Sequence, residues 1–125
     1  AEVPAADIGA RIDWIETDLA TWMPEPAHYD LVVSLYVHVA DSVEEMVRRM
    51  AQGVARRGTL FMVGHRPIDP GTGAATAAAS QVQVSVETVM AVLDSAMWEF
   101  LVAEGRRRAA AGSGVDAVIR ARRRS

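Results

Sequence analysis

The chain has 125 residues, of which 50% are hydrophobic and 23% are charged, with a formal net charge of -3 at pH 7. This length fits one domain with a substantial core, and the composition excludes an intrinsically disordered chain. The negative charge argues against a general nucleic-acid-binding protein. Cysteine is absent, which excludes disulfides, cysteine-ligated zinc and thiol nucleophiles.

The sequence contains no segment that predicts a membrane span. Its longest apolar stretch, residues 31 to 40, is interrupted by Ser34 and His38 and is far shorter than the roughly 20 residues that a span needs. The first residues lack the basic and apolar regions of a secretory signal. We therefore predict a cytoplasmic protein. The chain begins with Ala rather than Met, and we interpret it as a truncated protein or part of a longer one.

The first third of the chain predicts two strands separated by a loop. Residues 10 to 19 form a short apolar run that ends on Asp18, which favours a strand. Residues 21 to 28 contain two prolines and predict a loop. Residues 29 to 39 are almost continuously apolar, as in a parallel strand that is covered on both faces.

A helix is predicted after this strand, with Asp41 or Ser42 as its N-cap and Gly58 at its end. Its apolar residues fall at helical spacing: Val43, Met46, Val47, Met50, Ala51 and Val54. Residues 59 to 63 then predict a second strand, so residues 29 to 64 form a βαβ unit with a right-handed crossover and parallel strands.

The last half of the chain predicts a long loop, a helix and a hairpin. Residues 65 to 84 are rich in Gly, Ala and Pro and predict a lid or insertion loop. Ser85 is the predicted N-cap of a helix that ends near residue 94 or 95. Residues 98 to 103 and 115 to 121 predict an antiparallel hairpin. The predicted fold class is α/β, a single domain with a mostly parallel sheet and a C-terminal antiparallel hairpin strand.

The ordered ends of the predicted strands carry a family resemblance. The segments are Ile12-Asp13-Trp14-Ile15-Glu16-Thr17-Asp18-Leu19, Tyr29-Asp30-Leu31-Val32-Val33-Ser34 and Arg57-Gly58-Thr59-Leu60-Phe61-Met62-Val63-Gly64, followed by the hairpin. They resemble the third to seventh strands of class I, Rossmann-like, S-adenosylmethionine-dependent methyltransferases. The resemblance covers almost the whole chain. It implies a partial methyltransferase fold and methyl transfer from S-adenosylmethionine to a small-molecule acceptor.

The resemblance also implies positions that would contact this cofactor. Asp18 would accept a hydrogen bond from the adenine amino group, and the backbone N-H of Leu19 would face a ring nitrogen. Ser34, Leu35 and Tyr36 would pass beside the methionine portion, where a tyrosine ring attracts a sulfonium by cation-π interaction. The alternatives are a surface Asp that ends a strand and a Tyr that packs under the long loop.

Two histidines follow the consecutive parallel strands, at the edge of the sheet where ligands bind in such folds. His38 and His65 are the candidate catalytic residues, since a neutral imidazole can remove a proton from the acceptor. The alternative is that one histidine orders the loop and the other is exposed. Asp30, His38, His65 and Asp69 have no recognised metal-ligand spacing, and we predict no metal.

The arginine clusters at residues 106 to 108 and 122 to 124 lie at the ends of the predicted hairpin strands. We interpret them as solvated strand ends, with anion or nucleic-acid binding as the minority alternative.

The family's glycine-rich cofactor turn is missing upstream of Asp18. Gly71-Thr72-Gly73 is no substitute, because it lies in a proline-containing loop. In the family the first two strands lie in the middle of the sheet, so their absence leaves the strand at residues 29 to 39 with a bare edge.

Three outcomes would cover this edge: a second copy in a homodimer, a separate N-terminal half, or the first predicted strand moving into the vacant place. We expect the homodimer, and we expect the isolated chain to be inactive or feeble. The alternative function is a noncatalytic α/β dimerisation or interaction module. A hydrolase is disfavoured, since the chain has no Gly-x-Ser-x-Gly motif.

Overall fold

The computed structural model describes residues 11 to 37, 42 to 65, 84 to 107 and 115 to 125. These residues contain, in chain order, β1 (Tyr29–Leu35), α1 (Val43–Gln52), β2 (Val54–His65), α2 (Val86–Val92), β3 (Trp98–Arg107) and β4 (Val115–Arg123). The four strands form one sheet in the spatial order β1-β2-β4-β3. Neither of these two helices is long and apolar enough to cross a membrane.

The sheet is mixed, which corrects the prediction of a mostly parallel sheet. β1 pairs with β2 in parallel, and this confirms the predicted βαβ unit. β4 pairs antiparallel with both β2 and β3, and this confirms the hairpin. Because β4 returns from β3 and inserts between β3 and β2, its reversed direction creates two antiparallel interfaces.

Both helices cover the same face of the sheet. Leu60 and Met62 of β2 and Ile119 of β4 are fully buried and share one cluster with residues of α1 and α2. The members of that cluster from the helices and their caps are Val43, Met46, Val47, Met50, Ala51, Val89 and Leu93. The predicted apolar stripe of α1 therefore faces the core.

The N-terminus of α1 is capped as the sequence predicts. Ser42 is the N-cap, and its hydroxyl accepts a hydrogen bond of 3.2 Å from the backbone N-H of Glu45. The pKa of Glu44 is lowered, first by a backbone hydrogen bond and to a smaller extent by a hydrogen bond from the Ser42 hydroxyl. Ser85 caps α2 in the same way, through the backbone N-H of Thr88 at 3.1 Å.

The helix ends earlier than predicted, at Gln52 rather than before Gly58. The carbonyl of Gly53 accepts hydrogen bonds from the backbone N-H groups of His28 at 3.1 Å and Tyr29 at 2.8 Å. In a longer helix the Gly53 carbonyl would accept from the backbone N-H of Arg57, so these contacts take an acceptor that continuation of the helix would need. The chain therefore leaves the helix at Gly53, and residues 54 to 58 belong to β2.

The prediction of a strand at residues 10 to 19 is wrong for the described residues, 11 to 19, which form no strand. A strand is stable only beside another strand, and within the described ranges β1 pairs with β2 alone. Trp14 and Ile15 are each 67% exposed. Their β-forming composition is therefore not sufficient without a neighbour that supplies backbone hydrogen bonds.

One edge of β1 is bare in the described part of the chain, and the sheet face opposite the helices is apolar there. Leu31, Val33 and Leu35 lie on that face and are 58%, 47% and 52% exposed. The first predicted strand does not move into the vacant place, so this outcome is excluded for the described residues. Pairing with a second copy or with an N-terminal half stays a prediction.

We expect a Leu-to-Ala substitution to lower the free energy of unfolding by different amounts on the two faces of the sheet. Leu60→Ala should lower the free energy of unfolding by about 2 to 5 kcal/mol, because it leaves a cavity in the core. Leu31→Ala, on the open face, is the matched control and should cost far less. Urea unfolding of both variants checks this, and equal losses would show that the open face is also packed.

Candidate functional site

Three elements bring polar side chains to one edge of the sheet. β1 and β2 are parallel, so Tyr36, directly after β1, and His65, the last residue of β2, lie at the same edge. β4 runs the other way and begins there, which places Asp116 in register with His65. We call Tyr36, His65 and Asp116 the rim cluster.

The side chains of the rim cluster contact one another directly. The Tyr36 hydroxyl donates a hydrogen bond of 2.8 Å to Oδ2 of Asp116. Nδ1 of His65 lies 3.1 Å from Oδ1 of the same carboxylate. The Tyr36 and His65 rings are stacked, with centroids 4.5 Å apart and planes 29° from parallel. One carboxylate therefore orients two stacked rings.

The contact between Asp116 and His65 determines which ring nitrogen of His65 carries the proton. The side chain of Asp116 is 9% exposed and that of His65 is 25% exposed, so the contact is largely shielded from water. An ionised carboxylate only accepts hydrogen bonds, so the neutral imidazole carries its proton on Nδ1. Its basic lone pair is then on Nε2. An imidazole held in this way can accept a proton at Nε2.

Tyr36 adopts a backbone conformation that is rare for a residue with a side chain. Its φ is 56°, in the left-handed region, which costs about 1 to 2 kcal/mol for a residue other than glycine. Its backbone N-H donates to the carbonyl of Val63 at 2.8 Å. This turn ends β1 beside β2. Backbone strain of this kind is concentrated at functional sites.

The other predicted residues after β1 are distributed over both faces of the sheet. Ser34 is 3% exposed and lies on the helix-covered face, beside Met62 in the neighbouring strand. Leu35 is 52% exposed and lies on the open face. Of the three positions, Tyr36 is the one that joins the rim cluster.

Asp18 and Leu19 lie in a turn that contacts α1. The Asp18 carboxylate accepts a hydrogen bond of 2.9 Å from the backbone N-H of Ala20. The Leu19 carbonyl accepts one of 2.9 Å from the guanidinium of Arg49. These two contacts hold the turn in place, and neither of them involves a residue of the rim cluster.

Several predicted features lie outside the described residues. They are the candidate base His38, residues 66 to 83 of the predicted lid, and Arg108 of the first arginine cluster. Among the residues that the structure describes, no group of three or more His, Asp or Glu side chains is arranged to hold a metal ion.

Asp116 is the residue of the rim cluster that the sequence did not indicate. It is 51 positions from His65 and 80 from Tyr36, so no local motif links the three. The sequence shows only a carboxylate at the start of the last apolar strand. Its place beside His65 follows from the pairing of β4 with β2.

Comparisons with known proteins identify the fold. No protein-family model matches the chain, and no curated protein sequence matches it. Solved structures do match. An S-adenosylmethionine-dependent methyltransferase from Mesorhizobium loti superimposes with a TM-score of 0.60 and 17% identity, covering 86% of this chain and 68% of that one.

A second match is the N-methyltransferase NodS from Bradyrhizobium japonicum, solved with S-adenosyl-L-homocysteine. It has a TM-score of 0.61 and 16% identity, and the match covers 95% of this chain and 59% of NodS. The chain therefore has a partial class I methyltransferase-like fold, which confirms the resemblance.

Removing the Tyr36 hydroxyl tests the packing of the rim cluster. Tyr36→Phe leaves a largely buried carboxylate without one donor, and we expect a loss of about 1 to 3 kcal/mol in unfolding free energy. Tyr29→Phe, on β1, is the control for loss of a phenol hydroxyl. Thermal and urea unfolding measure both. A Tyr36→Phe variant as stable as Tyr29→Phe would contradict the described contact.

Proposed function

We propose that the protein takes part in methyl transfer from S-adenosylmethionine to a small-molecule acceptor. The observation that carries the proposal is the rim cluster at the carboxyl edge of β1 and β2, in a fold that matches methyltransferases. In open α/β sheets, ligands bind at this edge. The chain spans 59% and 68% of the two matched structures, so the activity belongs to a site that this chain forms in part.

The residues present fit part of the cofactor. The turn at Asp18 offers a carboxylate that can accept from an adenine amino group, and Leu19 lies beside it. Tyr36 is 40% exposed and presents an aromatic ring at the edge of the sheet, and such a ring attracts a sulfonium. No glycine-rich turn precedes Asp18 to hold the amino-acid portion. We therefore propose weak binding by this chain alone.

When bound, S-adenosylmethionine supplies a methyl group on a positively charged sulfur. The residues of this chain act on the acceptor. His65 would take the proton at Nε2 from an acceptor hydroxyl or ammonium group, which would leave the acceptor an electron pair for the methyl carbon, while the pair of the methyl–sulfur bond would go to the sulfur as that bond breaks. Asp116 holds the ring through Nδ1 and stabilises the imidazolium that results. Tyr36 holds Asp116 in turn. His38, the first of the two candidate bases that the sequence indicates, lies outside the described residues and stays a candidate.

A noncatalytic interaction module is the alternative, and the bare edge and apolar open face of β1 favour it. Leu31 and Leu35 are both more than half exposed there, so this surface is suited to pairing with another chain. The two functions differ in what they require of the carboxyl edge. Methyl transfer needs the cofactor at Asp18 and Tyr36, whereas an interaction module does not.

Titration of the chain with S-adenosylmethionine, followed by ¹H-¹⁵N NMR, tests the proposal. We expect millimolar binding, with shifts concentrated at Asp18, Leu19 and Tyr36, because these are the residues that we propose to contact the cofactor. Asp18→Ala should weaken these shifts, whereas Asp13→Ala, an exposed carboxylate nearby, should not.

One result would contradict the methyl-transfer proposal, and another would contradict the proposed weak binding by this chain alone. An absence of shifts at the carboxyl edge under saturating cofactor would favour the interaction module. Micromolar affinity of the 125-residue chain by calorimetry would show that the site is complete without further strands and that the chain is not feeble.

A further inference from the structure

A second polar site lies at the end of β2 opposite the rim cluster. Because β4 is antiparallel to β2, its last residues lie beside the first residues of β2, and Thr59 pairs with Arg122. This register brings together arginines that are more than 60 positions apart in the sequence. We call Arg56, Arg57, Arg122, Arg123 and Arg124 the arginine cluster.

An irregularity in β2 presents the first two arginines. Tyr29 of β1 pairs with Val54, but Leu31 pairs with Thr59, so residues 55 to 58 form a bulge. Arg57 has a left-handed φ of 64°. Gly58 is required there, since an added Cβ would lie 2.8 Å from a methyl carbon of Val54. The bulge leaves the side chains of Arg56 and Arg57 exposed.

The arginine cluster surrounds a concave cleft. The cleft has a volume of about 460 Å³ and is lined by arginines of both strands together with Ala96, Glu99 and Ser125. An adjoining cleft of about 370 Å³ includes Arg56. Volumes of this order are typical of small-molecule sites.

Two of the arginines are fixed in place by backbone carbonyls. Arg123 donates from Nη1 to the carbonyl of Val54 at 2.6 Å. Arg124 donates from Nε to the carbonyl of Ser95 at 3.2 Å. Each guanidinium has five N-H donors in a rigid fork, so further donors remain for a ligand. The cleft therefore contains guanidinium groups whose positions are set before binding.

Within the described residues, the cleft is lined by one carboxylate side chain, that of Glu99, against four arginines, and none of these arginines forms an ion pair. Arg56, Arg57 and Arg122 are exposed, and the hydrogen bonds and ion pairs found in those residues involve none of these side chains. Glu99 is the cross-strand neighbour of Arg122, but the two form no ion pair there. Arginine stays charged at any physiological pH, so the five guanidinium groups of the cluster repel one another. This local positive charge contrasts with the net charge of the whole chain, which is -3.

We propose that this cleft binds an oligophosphate group of a small molecule. Guanidinium forks match phosphate oxygens in bidentate pairs, and several adjacent phosphates would balance several arginines. Four of the five arginines line one cleft and Arg56 lines the adjoining one, so the charges form no long stripe, and among the described residues no aromatic side chain lines either cleft for base stacking. Both features favour a small ligand over a nucleic-acid strand. The site is separate from the rim cluster and does not depend on methyl transfer.

Calorimetric titration of the 125-residue chain tests this inference with three probes: inorganic triphosphate, ATP and a single-stranded RNA oligonucleotide. The site variant is Arg56→Gln/Arg57→Gln/Arg122→Gln. The matched control is Arg11→Gln/Arg48→Gln/Arg106→Gln, which removes the same charge from exposed positions elsewhere. In the native chain, NMR shifts on triphosphate binding map the site without any substitution.

We expect triphosphate to bind the native chain, with shifts at residues 56, 57 and 122 to 124. The site variant should bind about tenfold more weakly or worse, because it loses charge-assisted hydrogen bonds, whereas the control should bind nearly as the native chain does. ATP binding as tightly as triphosphate would identify the phosphates as the recognised group.

Other results would overturn the inference. One is the absence of triphosphate binding at low salt. Another is an equal loss of triphosphate affinity in the site and control variants, which would show that binding depends only on the overall charge of the chain. Tight RNA binding that is lost in the site variant, without triphosphate binding, would assign the cleft to nucleic acid instead.

Discussion

The pairing of β4 with β2 is the constraint on which the rest of the molecule depends. It buries Ile119 beside Met62 under the helices, and it forms the middle of the core. At one end it sets Asp116 against His65, and at the other it sets Arg122 near the start of β2. A slip of β4 by one residue would turn its own side chains, among them Asp116, Ile119 and Arg122, to the opposite face. The same ladder of hydrogen bonds thus supports the core and both polar sites.

Local features of the fold were predictable because they depend on neighbouring residues. Ser42 and Ser85 cap helices as expected, and the apolar spacing of α1 matches its buried face. Two predictions, the first strand and the end of the helix, are wrong for reasons that lie in the tertiary structure. Residues 11 to 19 have strand-forming composition but no partner strand within the described residues, and the helix ends early because His28 and Tyr29 take the carbonyl of Gly53. In the first place a partner strand is lacking, and in the second hydrogen bonds from a distant segment act on the helix end, so local propensity alone decides neither.

The candidate site was predictable in its place but not in its chemistry. His65 and Tyr36 lie at the carboxyl edge, as the strand ends indicate, and they share Asp116. Asp116 was missed because its role follows from the insertion of β4 between β2 and β3. The arginines of residues 122 to 124 were expected to be solvated strand ends, and the bulge that brings Arg56 and Arg57 to them has no local signature. Long-range register is what the sequence pattern does not contain.

We infer that the Asp116 carboxylate fixes the proton of His65 on Nδ1 and leaves the basic lone pair on Nε2. Long-range ¹H-¹⁵N correlation spectra of the imidazole distinguish the two neutral tautomers directly. At a pH where the ring is neutral, we expect the native chain to show the proton on Nδ1, and Asp116→Ala to show mostly the Nε2-protonated form that free imidazoles prefer. An Nε2-protonated His65 in the native chain, or a tautomer that does not respond to Asp116→Ala, would contradict the account.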